Sequence, residues 1–154
     1  MAETQTRNNS GGVPGWVNSM MKFVLRSPLH GIVSKDIMLI TFTGRKSGKP
    51  FTTPVTYSMD ANTVMMFTGG RWWKNLEGGA PVIVRIQGRD RTGTAVPTQG
   101  GSEDFVPKHR EFLIAHPRDA RFHGVEMMPD GTPNMEQLRE AGPNITMITI
   151  ELNT

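Results

Sequence analysis

The sequence predicts a mainly β fold (α+β): a small closed or split barrel of about six antiparallel strands, with one N-terminal helix and short helices covering its ends. Three observations carry that expectation. Seventeen Gly and eleven Pro among 154 residues cut the chain into short elements. The segments between those breaks read mostly as strands, and a sheet closed on itself leaves no exposed edges. The one substantial helical stripe lies near the N-terminus.

Residues 1–12 are polar and lack the basic-then-apolar layout of a secretory signal, so a disordered tail is expected there. Residues 13–154 are expected to form a single domain, long enough to bury roughly 68–70% of the unfolded surface. In 15–26, Trp16, Val17, Met20, Met21 and Val24 share one helical face, and Ser27-Pro28 stops the helix. That face packs on the sheet, or forms a lid or membrane-surface helix. Residues 37–42 are almost continuously apolar, which predicts a strand covered on both faces. Residues 51–59 are rich in β-branched side chains, and Pro54 puts that strand at an edge or a bulge. With 63–68 these make an antiparallel meander. Residues 81–87 and 90–96 form a hairpin through Gly88-Arg89.

Further on, 102–115 is expected to be helical, with Ser102 as cap or with Pro107 marking the start. A short helix follows to about residue 140, capped by Thr132 with Pro133 at its first position. Residues 144–152 alternate toward their end and close the sheet.

Two stretches carry chemistry. Between the first two strands, Thr43-Gly44-Arg45-Lys46-Ser47-Gly48-Lys49-Pro50 offers a guanidinium fork, two ammonium groups, a hydroxyl and turn amides. It reads as a phosphate or carboxylate clamp, or as a solvated basic turn. In 69–79, glycine pairs bracket Arg71-Trp72-Trp73-Lys74-Asn75-Leu76, with Gly69 and Gly70 placing amides at a helix N-terminus. Adjacent tryptophans on a helix cannot face the same way, so one is expected inside and one at the site. The net charge of +3 suits a small anionic ligand better than nucleic acid. No cysteine is present, which excludes disulfides, thiolate metal sites and a cysteine nucleophile. His109, His116 and His123 are spaced by seven, about 10.5 Å per step on a helix, too far to share one metal ion. No run reaches the ~18–20 apolar residues of a membrane span, and a cytoplasmic location is expected.

The segment from Leu39 to Pro50, followed by Thr53-Pro54-Val55, resembles the opening strand–turn–strand of the deazaflavin-dependent nitroreductase family. The likeness continues through Trp72-Trp73-Lys74-Asn75-Leu76 and Gly78-Gly79-Ala80-Pro81, and covers about 37–96. It implies a split β-barrel of the flavin-reductase type that binds coenzyme F-420, a deazaflavin with a phosphate and an oligoglutamate tail. Arg45, Lys46, Ser47 and Gly48 would take the phosphate-bearing tail. Thr68, Gly69, Gly70 and Arg71 would lie beside phosphate or ring, Trp72, Trp73 and Asn75 would frame the ring, and Pro54 would line the groove. The reaction implied is hydride transfer to an electrophile such as an enone, quinone or nitro compound, chemistry that the cofactor carries. No catalytic residue is assigned by it; Tyr57 and His116 are candidate proton sources. The resemblance also implies a homodimer, and the N-terminal helix is a candidate for peripheral membrane contact.

Two departures bear on the substrate. Members that reduce nitroimidazoles have tyrosines on a helix near the C-terminus, whereas the single tyrosine here is Tyr57. The matching region, 116–123, offers His116, Asp119 and Phe122 instead, and 126–140 reads as an insertion. An FMN-binding barrel and a non-catalytic cofactor-binding or membrane-surface module are the alternatives.

Overall fold

The computed structural model describes residues 15–29, 31 and 35–154; the polar tail at 1–12 lies outside them. Seven antiparallel strands form one sheet: β1 (Ile37–Thr43), β2 (Pro50–Thr56), β3 (Ser58–Asp60), β4 (Thr63–Thr68), β5 (Ala80–Ile86), β6 (Arg89–Gln99) and β7 (Thr146–Leu152). Their order is β2-β1-β5-β6-β7-β4-β3. The sheet curls into a split barrel because β2 and β3, its two edges, are one stretch of chain broken only at Tyr57. Tyr57 leaves the ladder there, and its amide donates to the carbonyl of Asp36 (3.0 Å).

That break separates the structure from the expected meander of three strands and raises the strand count from about six to seven. A single strand over 51–59 does not form, and β4 pairs with β7 and β3 rather than with β2. Pro54 does lie on an edge strand, opposite Leu39. The β5–β6 turn is Gln87-Gly88, both at positive φ (49° and 81°), the geometry a two-residue hairpin needs to match strand twist. β6 runs on to Gln99 because β7 continues to pair with it past Ala95, where pairing with β5 ends. Pro97 falls in that one-sided stretch.

Alternation along the strands divides the core. Met38, Ile40 and Phe42 of β1 enter the barrel with Val82, Val84, Val64, Met66, Ile148 and Ile150. The opposite face of β1 and β5 receives α1 (Gly15–Arg26), whose Val17 and Met20 pack on Ile83. Val17, Met20 and Val24 are buried, at about 1.5–3 kcal/mol per side chain. The apolar face of α1 is therefore committed to the sheet; what it turns outward is Phe23 and Leu25.

A second core lies over β4 and β7. Phe67, Ile145 and Met147 meet Phe105, Phe112 and Leu113 of α2 (Phe105–Ala115), Ala120 of the 3-10 helix Pro117–His123, and Leu138 of α3 (Met135–Ala141). α2 starts at Phe105, so Pro107 sits in its first turn, where a missing N–H costs least. α3 is capped by Asn134, whose side chain accepts from the amide of Gln137 (3.1 Å), not by Thr132. Thr132 is drawn instead into a turn with Asp130, its hydroxyl donating to that carboxylate at 2.7 Å.

Candidate active site

The basic loop leaves β1 at Gly44 and is closed by two backbone bonds, Gly44 N–H to Lys49 O and Gly48 N–H to Gly44 O (2.8 Å each). Gly48 has φ of 71°, where a side chain would be strained. Gly44 is buried beneath the loop. A Cβ on it would stand 2.7 Å from Phe51 and 2.8 Å from Ser47 Oγ.

Opposite this loop lies the 3-10 helix Arg71–Leu76, and Asn75 joins the two. Its Oδ1 accepts from the amide of Arg45 (2.9 Å) and its Nδ2 donates to the carbonyl of Trp72 (2.9 Å). Arg45 also pairs with Glu77 at 3.1 Å, both half-exposed, so the pair contributes little energy and leaves the guanidinium accessible. The result is a groove of about 360 Å³ lined by Gly44, Arg45, Lys46, Ser47, Phe51, Arg71, Lys74 and Asn75. Four cations face it.

The Asn75 junction is testable by itself. Asn75→Leu is expected to cost about 1–2 kcal/mol, since two hydrogen bonds go. It should also weaken anion binding in the groove several-fold although every cation remains. Urea denaturation and titration with pyrophosphate check both; unchanged pyrophosphate affinity would show that the loop needs no staple.

A second groove, of about 280 Å³, is lined by Thr53, Pro54, Val55, Thr56, Phe67, Thr68, Gly69, Trp72, Asp119, Phe122 and His123. Trp72 stacks on Phe42 (centroids 5.1 Å, 18°), and Phe42 stacks in turn on Phe51 (6.0 Å, 26°). Gly70 makes room for that indole: a Cβ there would lie 3.0 Å from Trp72 Cδ1. Its amide donates to Thr68 Oγ1 (3.0 Å). Phe122 stands 71% exposed at the margin, with Arg121 over its ring at 5.1 Å. Both grooves draw on β2 and on the helix Arg71–Leu76, so the same two elements position both.

Of the residues singled out in the sequence, Arg45, Lys46, Ser47, Arg71 and Asn75 meet in the first groove, and Pro54, Thr68, Gly69 and Trp72 in the second. Gly48, Gly70 and Trp73 line neither. Neither tryptophan is fully buried: both are partly covered and pack on the barrel core. Tyr57 is buried in that core, and burial, helped by Asp36, pushes its phenol pKa up. His116 lines a neighbouring cavity of about 90 Å³ with Thr56 and Asp119, and hydrogen-bonds Ser58 Oγ through Nε2 (3.0 Å).

The seven-residue spacing misled on one point. Helix α2 ends at Ala115 and the chain turns back through Pro117–His123, so His109 Nε2 and His123 Nδ1 are 2.8 Å apart. Burial, and then His123, lower the pKa of His109 to about 4; burial also lowers that of His123, against the pull of Asp119. Among the described residues no group of three or more His, Cys, Asp or Glu is placed to hold a metal ion. Lys74, Phe51, Thr53, Thr56 and Phe67 were also missed as lining. Lys74 was legible from its place one residue before Asn75; the others needed the fold.

A protein-family model described as F420H(2)-dependent quinone reductase matches residues 25–117. No curated protein matches the chain. Among solved structures, an F420-H2 dependent reductase (FDR-A) aligns at 20% identity with a TM-score of 0.51, over 78% of this chain and 98% of that one. A structure described as a domain-swapped dimer aligns at 21% identity and a TM-score of 0.50, over 88% and 97%. A protein of unknown function from Agrobacterium tumefaciens aligns at 15% identity and a TM-score of 0.55, over 95% of this chain and 57% of that one. At such identities these structures speak for the fold, the split barrel. The family match spans more than half of the chain: this protein belongs to the F420H(2)-dependent quinone reductase family and is an oxidoreductase that works with coenzyme F-420.

Proposed function

We propose that the basic groove holds the phosphate-bearing tail of the coenzyme, that the Trp72 wall takes its ring, and that an uncharged electrophile of quinone or enone type enters the second groove. What carries this reading is the contrast between two grooves built on the same pair of elements, β2 and the helix Arg71–Leu76, the first being the cationic one and the second the apolar one. Cations line the first, whereas Pro54, Val55, Phe67, Trp72 and Phe122 dominate the second. The donor set fits such a coenzyme. Arg45, Lys46, Arg71 and Lys74 line the groove with no carboxylate among its lining residues, and Glu77 pairs with Arg45 alone, which leaves a cationic surplus for a polyanion. The stacked face of Trp72 suits a flat ring.

When bound, the coenzyme supplies the hydride. The chain's contribution is to bind and orient. The Asn75-stapled loop fixes where anionic groups sit, and the aromatic wall keeps water from one face of the ring site. Gly69 lets the backbone approach without a side chain intervening.

Fluorescence titration of the protein with coenzyme F-420 and with FMN tests the assignment. The parent should bind the deazaflavin at micromolar concentration or tighter and FMN at least tenfold more weakly. Arg45→Ala with Lys46→Ala should lose about 10²-fold in affinity, from two exposed charge-assisted contacts at about 1.5 kcal/mol each. If the double variant binds as the parent does, the tail does not lie there. Turnover of 1,4-naphthoquinone, cyclohexenone and nitrobenzene with the reduced coenzyme then ranks the acceptors.

A homodimer, a cytoplasmic location and peripheral membrane contact through the outward Phe23 and Leu25 of α1 complete the proposal. Sedimentation velocity, cell fractionation and liposome flotation test them in turn. No helix among the described residues is long and apolar enough to cross a membrane.

A further inference from the structure

His109 is enclosed by aromatic rings, at 1% exposure the most buried polar side chain in the helical layer. Phe67 stacks on it (5.2 Å, 21°) and Phe105 meets it edge-on (5.5 Å, 61°). Its Nε2 is bonded to His123 Nδ1, and its Nδ1 is the one buried side-chain polar atom among the described residues that has no hydrogen-bond partner.

That orphan fixes where the protons are. A neutral imidazole carries one N–H. Were it on Nδ1, a buried donor would face phenyl rings with nothing to accept it, the costlier and rarer kind of unsatisfied group. With the proton on Nε2, only a lone pair goes unpaired, and Nε2–H donates to His123 Nδ1. His123, whose Nδ1 then accepts, must carry its own proton on Nε2. His123 lines the second groove, and its Nε2 is neither bonded within the protein nor sealed from solvent. The pair therefore gives His123, a residue of the groove wall, a solvent-accessible Nε2–H in a single tautomer.

We propose that His123 is the hydrogen-bond donor this groove offers to the oxygen of a bound carbonyl acceptor, and that His109 is the positioning residue that sets its tautomer and ring orientation. The proposal rests on the reading of the second groove as the acceptor site. When a quinone accepts a hydride from the reduced coenzyme, the electron pair ends on its oxygens. The substrate becomes a hydroquinone monoanion and the coenzyme is oxidised. The imidazole keeps its proton and stabilises that oxyanion as a fixed dipole; water supplies the proton that completes the hydroquinone. A neutral imidazole acting as electrophile in this way needs no charge change of its own. Asp119 is the other titratable side chain lining the groove, its Oδ1 accepting from Thr56 Oγ1 (3.1 Å). Its carboxylate disfavours an acceptor that is already anionic, so the groove selects a neutral carbonyl compound.

The test starts with the unaltered protein without coenzyme. Long-range ¹⁵N–¹H spectra of its imidazoles at pH 7.5 should show His109 and His123 both as Nε2–H tautomers. Titration with 1,4-naphthoquinone should shift the His123 Nε2–H signal more than any other histidine signal. An Nδ1–H tautomer at His123, or a quinone that leaves its signal in place, overturns the proposal. For catalysis, His123→Phe should lower kcat for 1,4-naphthoquinone about 10²-fold while coenzyme affinity stays within twofold. His123→Gln, which restores an N–H near the Nε2 position, should recover part of the rate. His109→Phe should leave coenzyme affinity unchanged, lower kcat less than His123→Phe, and turn the His123 spectrum into a tautomer mixture. A parent that neither binds coenzyme F-420 nor reduces the quinone would remove the broader reading. A parent that does both while His123→Phe matches it would remove only this inference.

Discussion

Gly100→Ala is expected to destabilise the protein by about 3 kcal/mol or more, the largest effect of any single methyl group added to the barrel. Gly100 follows β6, and its amide donates to the carbonyl of Ile145 (2.8 Å). A Cβ on it would collide with the carbonyl oxygen of Gly142 while standing 2.9 Å from Ile145 O and 2.8 Å from Phe105 Cε1. Two of those three atoms are backbone, so neither can swing away as a side-chain end would. The strand must part from the Gly142–Asn144 turn, or the turn must leave α3. The consequences reach the site. Ile145 packs toward Gly69 in the second groove, and Phe105 holds Phe67 and His109. Urea denaturation should show the shift, with Gly88→Ala avoided for its positive φ and Gly15→Ala as the reference, since no atom of the described residues lies within 4 Å of a Cβ there. A difference below 1 kcal/mol between the two variants would mean that the turn yields more readily than its packing indicates.

The parts of the site that are contiguous in sequence were legible, and those assembled by chain reversal were not. The loop after β1 announces itself because its cations and glycines are consecutive, and the Gly70-to-Leu76 segment does so for the same reason. Their meeting through Asn75 has no sequence signature beyond the family resemblance, because a side-chain-to-amide bond spanning thirty residues leaves no periodicity. The break at Tyr57 was hidden because 51–59 is uniformly β-prone. Propensity describes each residue's fit to a pleated surface, not which edge of the sheet it joins. The histidines show the converse. The helical spacing of about 10.5 Å per seven residues holds only within a helix, and the one expected over 102–115 stops before Pro117, so that distance does not reach His123. Taking that proline at its word returns the chain toward α2 and brings His123 back to His109. The cap of α3 is a smaller instance: both Thr132 and Asn134 suit the role, and the Asp130 turn claims the threonine.

The same histidine pair makes the fold acid-sensitive in a range where few other groups titrate. In the unfolded chain both imidazoles protonate near 6.5. In the folded protein His109 does so only near pH 4, because charging it would bury a cation among phenyl rings and beside a second imidazole. Between those values the unfolded state binds more protons than the native state, so stability falls as pH falls. The contribution is fully present above pH 6.5 and is lost progressively down to about pH 4. For His109 alone the loss between pH 7 and pH 5 is about 2 kcal/mol, and His123, shifted the same way, adds to it. Carboxylates enter mainly below pH 5, which leaves a window in which the histidines dominate. Urea midpoints measured from pH 7.5 to 5 should therefore decline steadily in the parent. His109→Phe, which fills the aromatic box with a ring that cannot charge, should flatten that decline to what His123 contributes. A parent curve flat from pH 7 to 5 would mean that the buried imidazoles accept protons without opening the layer over β4 and β7. The box around His109 would then tolerate an unpaired N–H, and nothing in it would hold the imidazole to the Nε2–H tautomer.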